Sequence, residues 1–239
     1  MSASVRAAIF IASLLGAQAA HADRRLEDAQ MNAAIAVEDE TTKTLALEPG
    51  VIAASHGRAK RDGANLILKI GHGPSLTLTD DNSGCEPPKF DYGKCFRFTL
   101  IADLPSRHAY IVADSYYEGG KTELIDDRTG TRTLFSQIPR FSPDGGLLLV
   151  FSNSDAGDGG LIQLWRRQSD RIAKEWEISQ NEIRQLGYYK TALIGWQQDA
   201  IQLDMSTPGT ADGPETHRPA TLARDNSGWH LTVITAAAP

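Results

Sequence analysis

From residue 65 to residue 234 the sequence is a succession of short apolar runs separated by Gly, Asp, Asn and Pro, and this pattern leaves room for almost nothing but antiparallel β-structure. The runs are NLILKI from Asn65, SLTLT from Ser75, CFRFTLIA from Cys95, AYIVAD from Ala109, TELID from Thr122 and TRTLF from Thr131. They continue with LLLVFS from Leu147, LIQLW from Leu161, RIAKEWEI from Arg171, ALIGW from Ala192, AIQLD from Ala200, ATLA from Ala220 and WHLTVI from Trp229. The links are too short to hold the crossover helix that a parallel sheet needs, so neighbouring strands must run antiparallel. Only Asn181 to Leu186 offers a helical turn. The stretch from Met205 to Pro219 carries three prolines and almost no apolar residues, and is expected to be a surface loop over 205–219.

The N-terminus has a different character. Arg6 precedes the apolar stretch AAIFIASLLGAQAA, and Ala20-His21-Ala22 supplies the small-x-small pattern of a signal peptidase site. Residues 1–22 are therefore expected to be a signal peptide cut before Asp23, with a cut after Ala19 as the near alternative. The apolar stretch is too short to span a bilayer as a helix, and no later segment is apolar enough to do so. The expectation is a soluble exported protein, periplasmic or secreted. Residues 23–60 read as a partly helical arm, with Leu26, Met31, Ile35 and Val37 hinting at a short helix. One β domain is expected over 61–235, and 236–239 read as a disordered tail.

Export gives the two cysteines their meaning. Cys85 and Cys95 enclose Glu-Pro-Pro-Lys-Phe-Asp-Tyr-Gly-Lys, and an even pair in an oxidising compartment points to a disulfide. Closing so short a loop contributes about 2–3 kcal/mol in the chain-entropy picture. A catalytic thiol pair sits closer together, and a zinc site needs two further ligands. The net charge is −6, and loss of Arg6 with the signal takes it to −7. An acidic chain argues against a nucleic-acid partner. The basic clusters Arg58, Lys60, Arg61 and Arg166, Arg167, Arg171 read as solvated turn or strand residues.

The centre of the chain repeats with an offset of about forty residues, the size of one four-stranded propeller blade. AYIVADSYYEGGKTELIDDRTGTRTLF and LLLVFSNSDAGDGGLIQLWRRQSDRIAKEWEI each hold a strand, a Gly- and Asp-rich turn, a second strand, a turn and a third strand. Between them lies Phe141-Ser142-Pro143-Asp144-Gly145, where Pro presets φ and Gly accepts positive φ for a tight turn. This FSPDG turn and the strand after it resemble the repeats of WD40-like and TolB-like β-propellers, over Cys95 to Leu203. LIQLW resembles the strand carrying the Trp-Asp dipeptide, but Arg166 stands where the Asp would be, which favours the TolB-like form. The resemblance implies an antiparallel, small or incomplete propeller-like array of roughly four blades. A third blade is expected from Glu182 to Asp204, and the segments Asn65–Thr79 and Ala220–Ile234 are expected to pair and close a further one. A β-sandwich is the alternative.

No motif carries catalysis. There is no nucleophile elbow, phosphate-binding loop or dinucleotide fingerprint, and the histidines His56, His72, His108, His217 and His230 show no metal-binding spacing. Asn153, Asp155 and Asp158 miss the spacing of a calcium loop. No residue is given a catalytic or metal-binding role, and no cofactor is expected. The aspartates Asp80, Asp81, Asp103, Asp114, Asp126 and Asp127 read as turn and strand-end residues. Trp165, Trp176, Trp196 and Trp229 read mainly as core. The candidates for an exposed aromatic binding site are Tyr116 and Tyr117, beside Glu118-Gly119-Gly120, together with Tyr188 and Tyr189. The expected function is a non-enzymatic module that binds an envelope protein or polymer. The alternatives are a glycan-directed hydrolase using paired Asp carboxylates, or a structural envelope protein.

Overall fold

In a computed structural model of the protein, the described residues are 24–38, 41–85, 91, 94–116, 119–152, 161–169, 171–188, 190–197, 199–207 and 214–234. The expected signal segment, its cleavage site and the 236–239 tail lie outside them. The described strands form four antiparallel sheets, none closed into a barrel. The first holds β1 (Ala59–Asp62), β2 (Asn65–Leu68) and β3 (Leu76–Thr79). The second holds β4 (Phe96–Leu104), β5 (Ala109–Tyr116), β6 (Gly119–Asp126) and β7 (Arg132–Phe135). The third holds β8 (Arg140–Phe141), β9 (Leu147–Ser152), β10 (Leu161–Arg167) and β11 (Ile172–Ile178). The fourth holds β12 (Lys190–Gln197), β13 (Ala200–Thr207), β14 (Thr216–Asp225) and β15 (Gly228–Val233). Within every sheet the strands lie in chain order, as short links require.

Each apolar run named above lies in a strand. The strands β1 and β8 were not expected, because Ala-Lys-Arg-Asp and Arg-Phe carry no strand pattern of their own. Two expectations are corrected. Asn65–Thr79 and Ala220–Ile234 do not pair: β2 and β3 pair with each other and β2 with β1, while β14 pairs with β13 and β15. Hairpins with short loops lose less entropy on closing than a pairing between chain ends. The segment expected as a third blade from Glu182 to Asp204 accordingly contributes to a sheet that runs on to Val233. The expected loop 205–219 is also narrower. Thr207 pairs with Thr216 and Asp204 with Pro219, so the ladder continues through the polar sequence, and Met205 is fully buried. Backbone pairing does not need apolar side chains when one residue in two still reaches a core.

The contacts divide the chain into two compact units, with the boundary between Ile138 and Pro139. In the first, Leu66, Leu68, Leu78, Leu100, Tyr110, Val112 and Ile125 form the core between the first two sheets, with Val51 from a helix. Among the described residues, two α-helices belong to this unit, α1 over 24–36 and α2 (Thr41–Ala54). Their buried residues recur at helical spacing but are half polar: Glu27, Met31 and Ala34 in α1, and Thr44, Glu48 and Val51 in α2. Leu26, expected to mark the apolar stripe, is exposed. The polar stripe caps the open edge of β4. Leu100 N–H donates to Glu48 Oε1 at 2.9 Å, beside a bulge where the register shifts between Leu100 and Ala102. Asp103 N–H donates to Gln30 Oε1 at 2.8 Å, and Ser106 N–H to Glu27 Oε1 at 2.5 Å. An edge that would otherwise present free N–H groups to another strand is thereby closed.

In the second unit the core is Leu149, Ile162, Leu164, Ile183, Ile201, Leu203, Met205, Ala220 and Leu222. The expected helical turn is α3 (Gln180–Gln185), started by a capping box between Ser179 and Glu182. The FSPDG turn forms as its residues require. Gly145 has φ 74° and its N–H donates to Ser142 O at 2.8 Å. Asp144 Oδ1 accepts from Gly146 N–H at 3.0 Å, and Ser142 Oγ accepts from Leu147 N–H at 2.8 Å.

Candidate functional site

The candidate site is the end of one face of the second sheet, at the tip of the β5–β6 hairpin. Residues 110, 112, 114 and 116 of β5 share one face and 111, 113 and 115 the other. Cross-strand pairs Phe96↔Tyr116, Phe98↔Asp114, Asp114↔Lys121, Val112↔Glu123 and Glu123↔Leu134 extend the first face across the sheet. Its inner part, with Tyr110, Val112 and Ile125, is core. Toward the hairpin tip the face comes out from under its cover. Tyr116 is 41% exposed and Leu134 52%.

Aromatic and charged groups meet there. The rings of Phe96 and Phe98 lie edge to face with centroids 5.6 Å apart. The Arg132 guanidinium sits 5.7 Å from the Phe98 centroid and donates from Nε to Glu123 Oε2 at 2.6 Å. Its Nη2 donates to the other Glu123 oxygen, making the pair bidentate. Glu123 is 1% exposed, so Arg132 neutralises a carboxylate that has left water. Asp114 is half-buried and has no hydrogen-bond or ion-pair partner among the described residues. Its carboxyl is pushed up by burial and then by the Glu123 charge, against the pull of Arg132 and Lys121. Gly119 lets the Tyr116 ring lie across the hairpin, since a Cβ there would be 3.2 Å from Tyr116 Cε2. The face thus joins a half-exposed phenol, an exposed leucine, a cation held over an aromatic ring, and a half-buried carboxyl.

The other sequence candidates are scattered. Tyr188 is half-buried and packs against the core of the second unit instead of standing exposed. Tyr117, Tyr189, Asn153, Asp155 and Asp158 lie outside the described residues. Trp176, Trp196 and Trp229 pack against the second unit's core, as expected for most tryptophans. His108, His217 and His230 each contact a carboxylate, Asp127 at 3.3 Å, Asp204 at 2.6 Å and Asp225 at 3.2 Å. No group of three His, Cys, Asp or Glu among the described residues could hold a metal ion. The expected disulfide Cys85–Cys95 is formed, with Cα atoms 4.8 Å apart.

Arg58 and Arg61, expected as solvated basic residues, are corrected to internal ion-pair partners. Arg61 Nε donates to Glu48 Oε2 at 3.0 Å, and its Nη1 lies 3.3 Å from Asp80 Oδ2. Arg58 bridges Asp127 and Asp103, with Nη1 at 3.1 Å from Asp103 Oδ1. Asp103 and Glu48 are buried carboxylates, and a buried charge needs such a partner. In the second unit Arg166 pairs with Glu175, which also accepts from Trp229 Nε1 at 3.1 Å.

Sequence reading found Tyr116 and noted Asp114 but missed Phe96, Phe98, Glu123 and Arg132. The available signal was the alternation of Phe96-Arg97-Phe98, which requires knowing the partner strand. Among the described residues, no helix is long and apolar enough to cross a membrane. No protein-family model matches this chain, and neither a curated protein nor a solved structure matches it.

Proposed function

We propose that this protein is an exported, non-enzymatic binding module that engages an envelope protein or polymer through the Tyr116 face. The observation that carries the reading is the pairing of that face's charges. Its buried carboxylate is locked by a bidentate arginine, while its aromatic and aliphatic groups remain open. Tyr and Arg are favoured at recognition surfaces because each offers a large, stiff contact area with a polar end. The disulfide suits an oxidising compartment, periplasmic or extracellular. The four consecutive meanders are the topology from which propeller blades are made, and a small propeller-like array is part of the proposal.

The test is a photo-crosslinking amino acid at position 116, compared with the same residue at Ile194 on the second unit, which is 68% exposed. One reproducible adduct from position 116 only, lost on Leu134→Glu, is expected. Identical adducts from both positions, or none, overturn the proposal.

Asp114 favours a second reading, a glycan-directed hydrolase in which its raised carboxyl is the acid. Against it, Glu123, the carboxylate whose charge acts on Asp114, is buried and held at both oxygens, and is not open to act as a second catalytic group. Release of reducing ends from envelope glycans, abolished by Asp114→Asn, would decide for the hydrolase.

A further inference from the structure

The reverse face of the same hairpin carries a pocket that the Tyr116 reading does not use. Alternation turns Ala113 and Ser115 of β5, and Gly120 and Thr122 of β6, away from the aromatic face. With Ile101, Thr44 and the segment 136–138 they line a pocket of about 240 Å³. One water needs on the order of 10–15 Å³, and drug-sized sites begin near roughly 300 Å³. The space suits a single small molecule.

Apart from Glu38 and Lys121, its lining is polar without being charged. The hydroxyls of Ser115, Thr122 and Ser136 and the amide of Gln137 line it, and none has a hydrogen-bond partner among the described residues. Thr122 is only 5% exposed, so the pocket is where its hydroxyl can find a partner. Thr44 Oγ1 already donates to Val37 O at 3.0 Å, and Glu38 Oε1 accepts from Ile138 N–H. Lys121 also belongs to the lining, but it pairs across the sheet with Asp114 and its charge pulls on that carboxyl, which directs its ammonium to the aromatic face. Ile101, Ala113 and Ile138 supply apolar wall.

Free hydroxyls and an amide beside an apolar wall complement a ring with a C–H face and a hydroxyl rim. An anion would meet no cation there, and a hydrocarbon would leave four polar groups dry. We propose that this pocket binds one uncharged pyranose, a single sugar unit. The proposal stands apart from the Tyr116 reading, because the two sites lie on opposite faces.

The test is a titration of the isotope-labelled protein with D-glucose and with N-acetylglucosamine at millimolar concentration, followed by amide chemical shifts. The expected result is saturable shifts at Ser115, Thr122 and Gln137 for at least one sugar. Thr122→Val should weaken that binding about tenfold, as loss of one hydrogen bond implies, while Leu134→Glu leaves it unchanged. Should Thr122→Val lose its dispersed spectrum, Gln137→Ala makes the same comparison. Absence of saturable shifts with both sugars, or shifts indifferent to the pocket variants, overturns the proposal.

Discussion

Replacing Asp103 by Asn should make the protein's stability less sensitive to pH, and the structure gives the size of the effect. The Asp103 side chain is 3% exposed, and its ion-pair partner is Arg58. Arg58 Nη1 and Asp103 Oδ1 form an ion pair at 3.1 Å but no aligned hydrogen bond. Burial therefore pushes the carboxyl up from its ordinary 3.8 to about 6, with Arg58 and His56 pulling down and Asp127 and Glu27 pushing up. A carboxyl raised on folding holds its proton more tightly in the native state, so stability is lost as pH rises from about 4 to about 6 and is flat above. The rise from 3.8 to about 6 corresponds to about 3 kcal/mol at 1.36 kcal/mol per pH unit. Asn cannot ionise. Urea unfolding of both proteins at pH 4, 5, 6 and 7, followed by far-UV circular dichroism, should show the wild type losing up to that amount relative to Asp103→Asn as pH rises. A difference that does not change with pH, or one that moves in the wild type's favour, would mean that Arg58 outweighs burial and would refute the reasoning.

Arg132→Ala should lower the urea midpoint by the equivalent of about 2–4 kcal/mol, because it leaves buried Glu123 without its cation, and adding Glu123→Gln should restore part of the loss. Replacing Cys85 and Cys95 together by Ser should cost about 2–3 kcal/mol, read as a lower thermal midpoint that reduction of the wild type reproduces. Gly71→Ala should destabilise the first unit, since Gly71 has φ 44° and a Cβ there would lie 2.9 Å from the Arg128 carbonyl oxygen. The fall in melting temperature should exceed that of Gly50→Ala, where a Cβ meets open space. The Asp204 carboxylate raises the His217 imidazole, so Asp204→Asn should move the His217 titration midpoint down in proton NMR.

The strands and their antiparallel sense were legible because both are written locally. A run such as LLLVFS can bury its faces only as a strand, and a turn such as Ser142-Pro143-Asp144-Gly145 closes on its own hydrogen bonds. The disulfide was legible for the same reason of proximity along the chain. That 23–60 is partly helical and that a helical turn lies near Asn181 were legible too, but the stripe that the first two helices bury was not. That stripe mixes Met31, Ala34 and Val51 with Glu27, Thr44 and Glu48, and Glu27, Glu48 and the half-buried Gln30 read as surface until the edge of β4 is there to be capped. The basic cluster misled in the same way, since Arg58 and Arg61 become internal only when Asp103, Asp127, Glu48 and Asp80 arrive from distant elements. Tyr116 could be chosen as an exposed aromatic from its Gly-rich neighbourhood. What surrounds it could not. Phe98, Glu123 and Arg132 join it through a cross-strand register set by the fold of β4 to β7, and the pocket behind them by the other half of the same alternation. A sequence states which way each residue faces relative to its neighbour, but only pairing between strands decides which residues share a face.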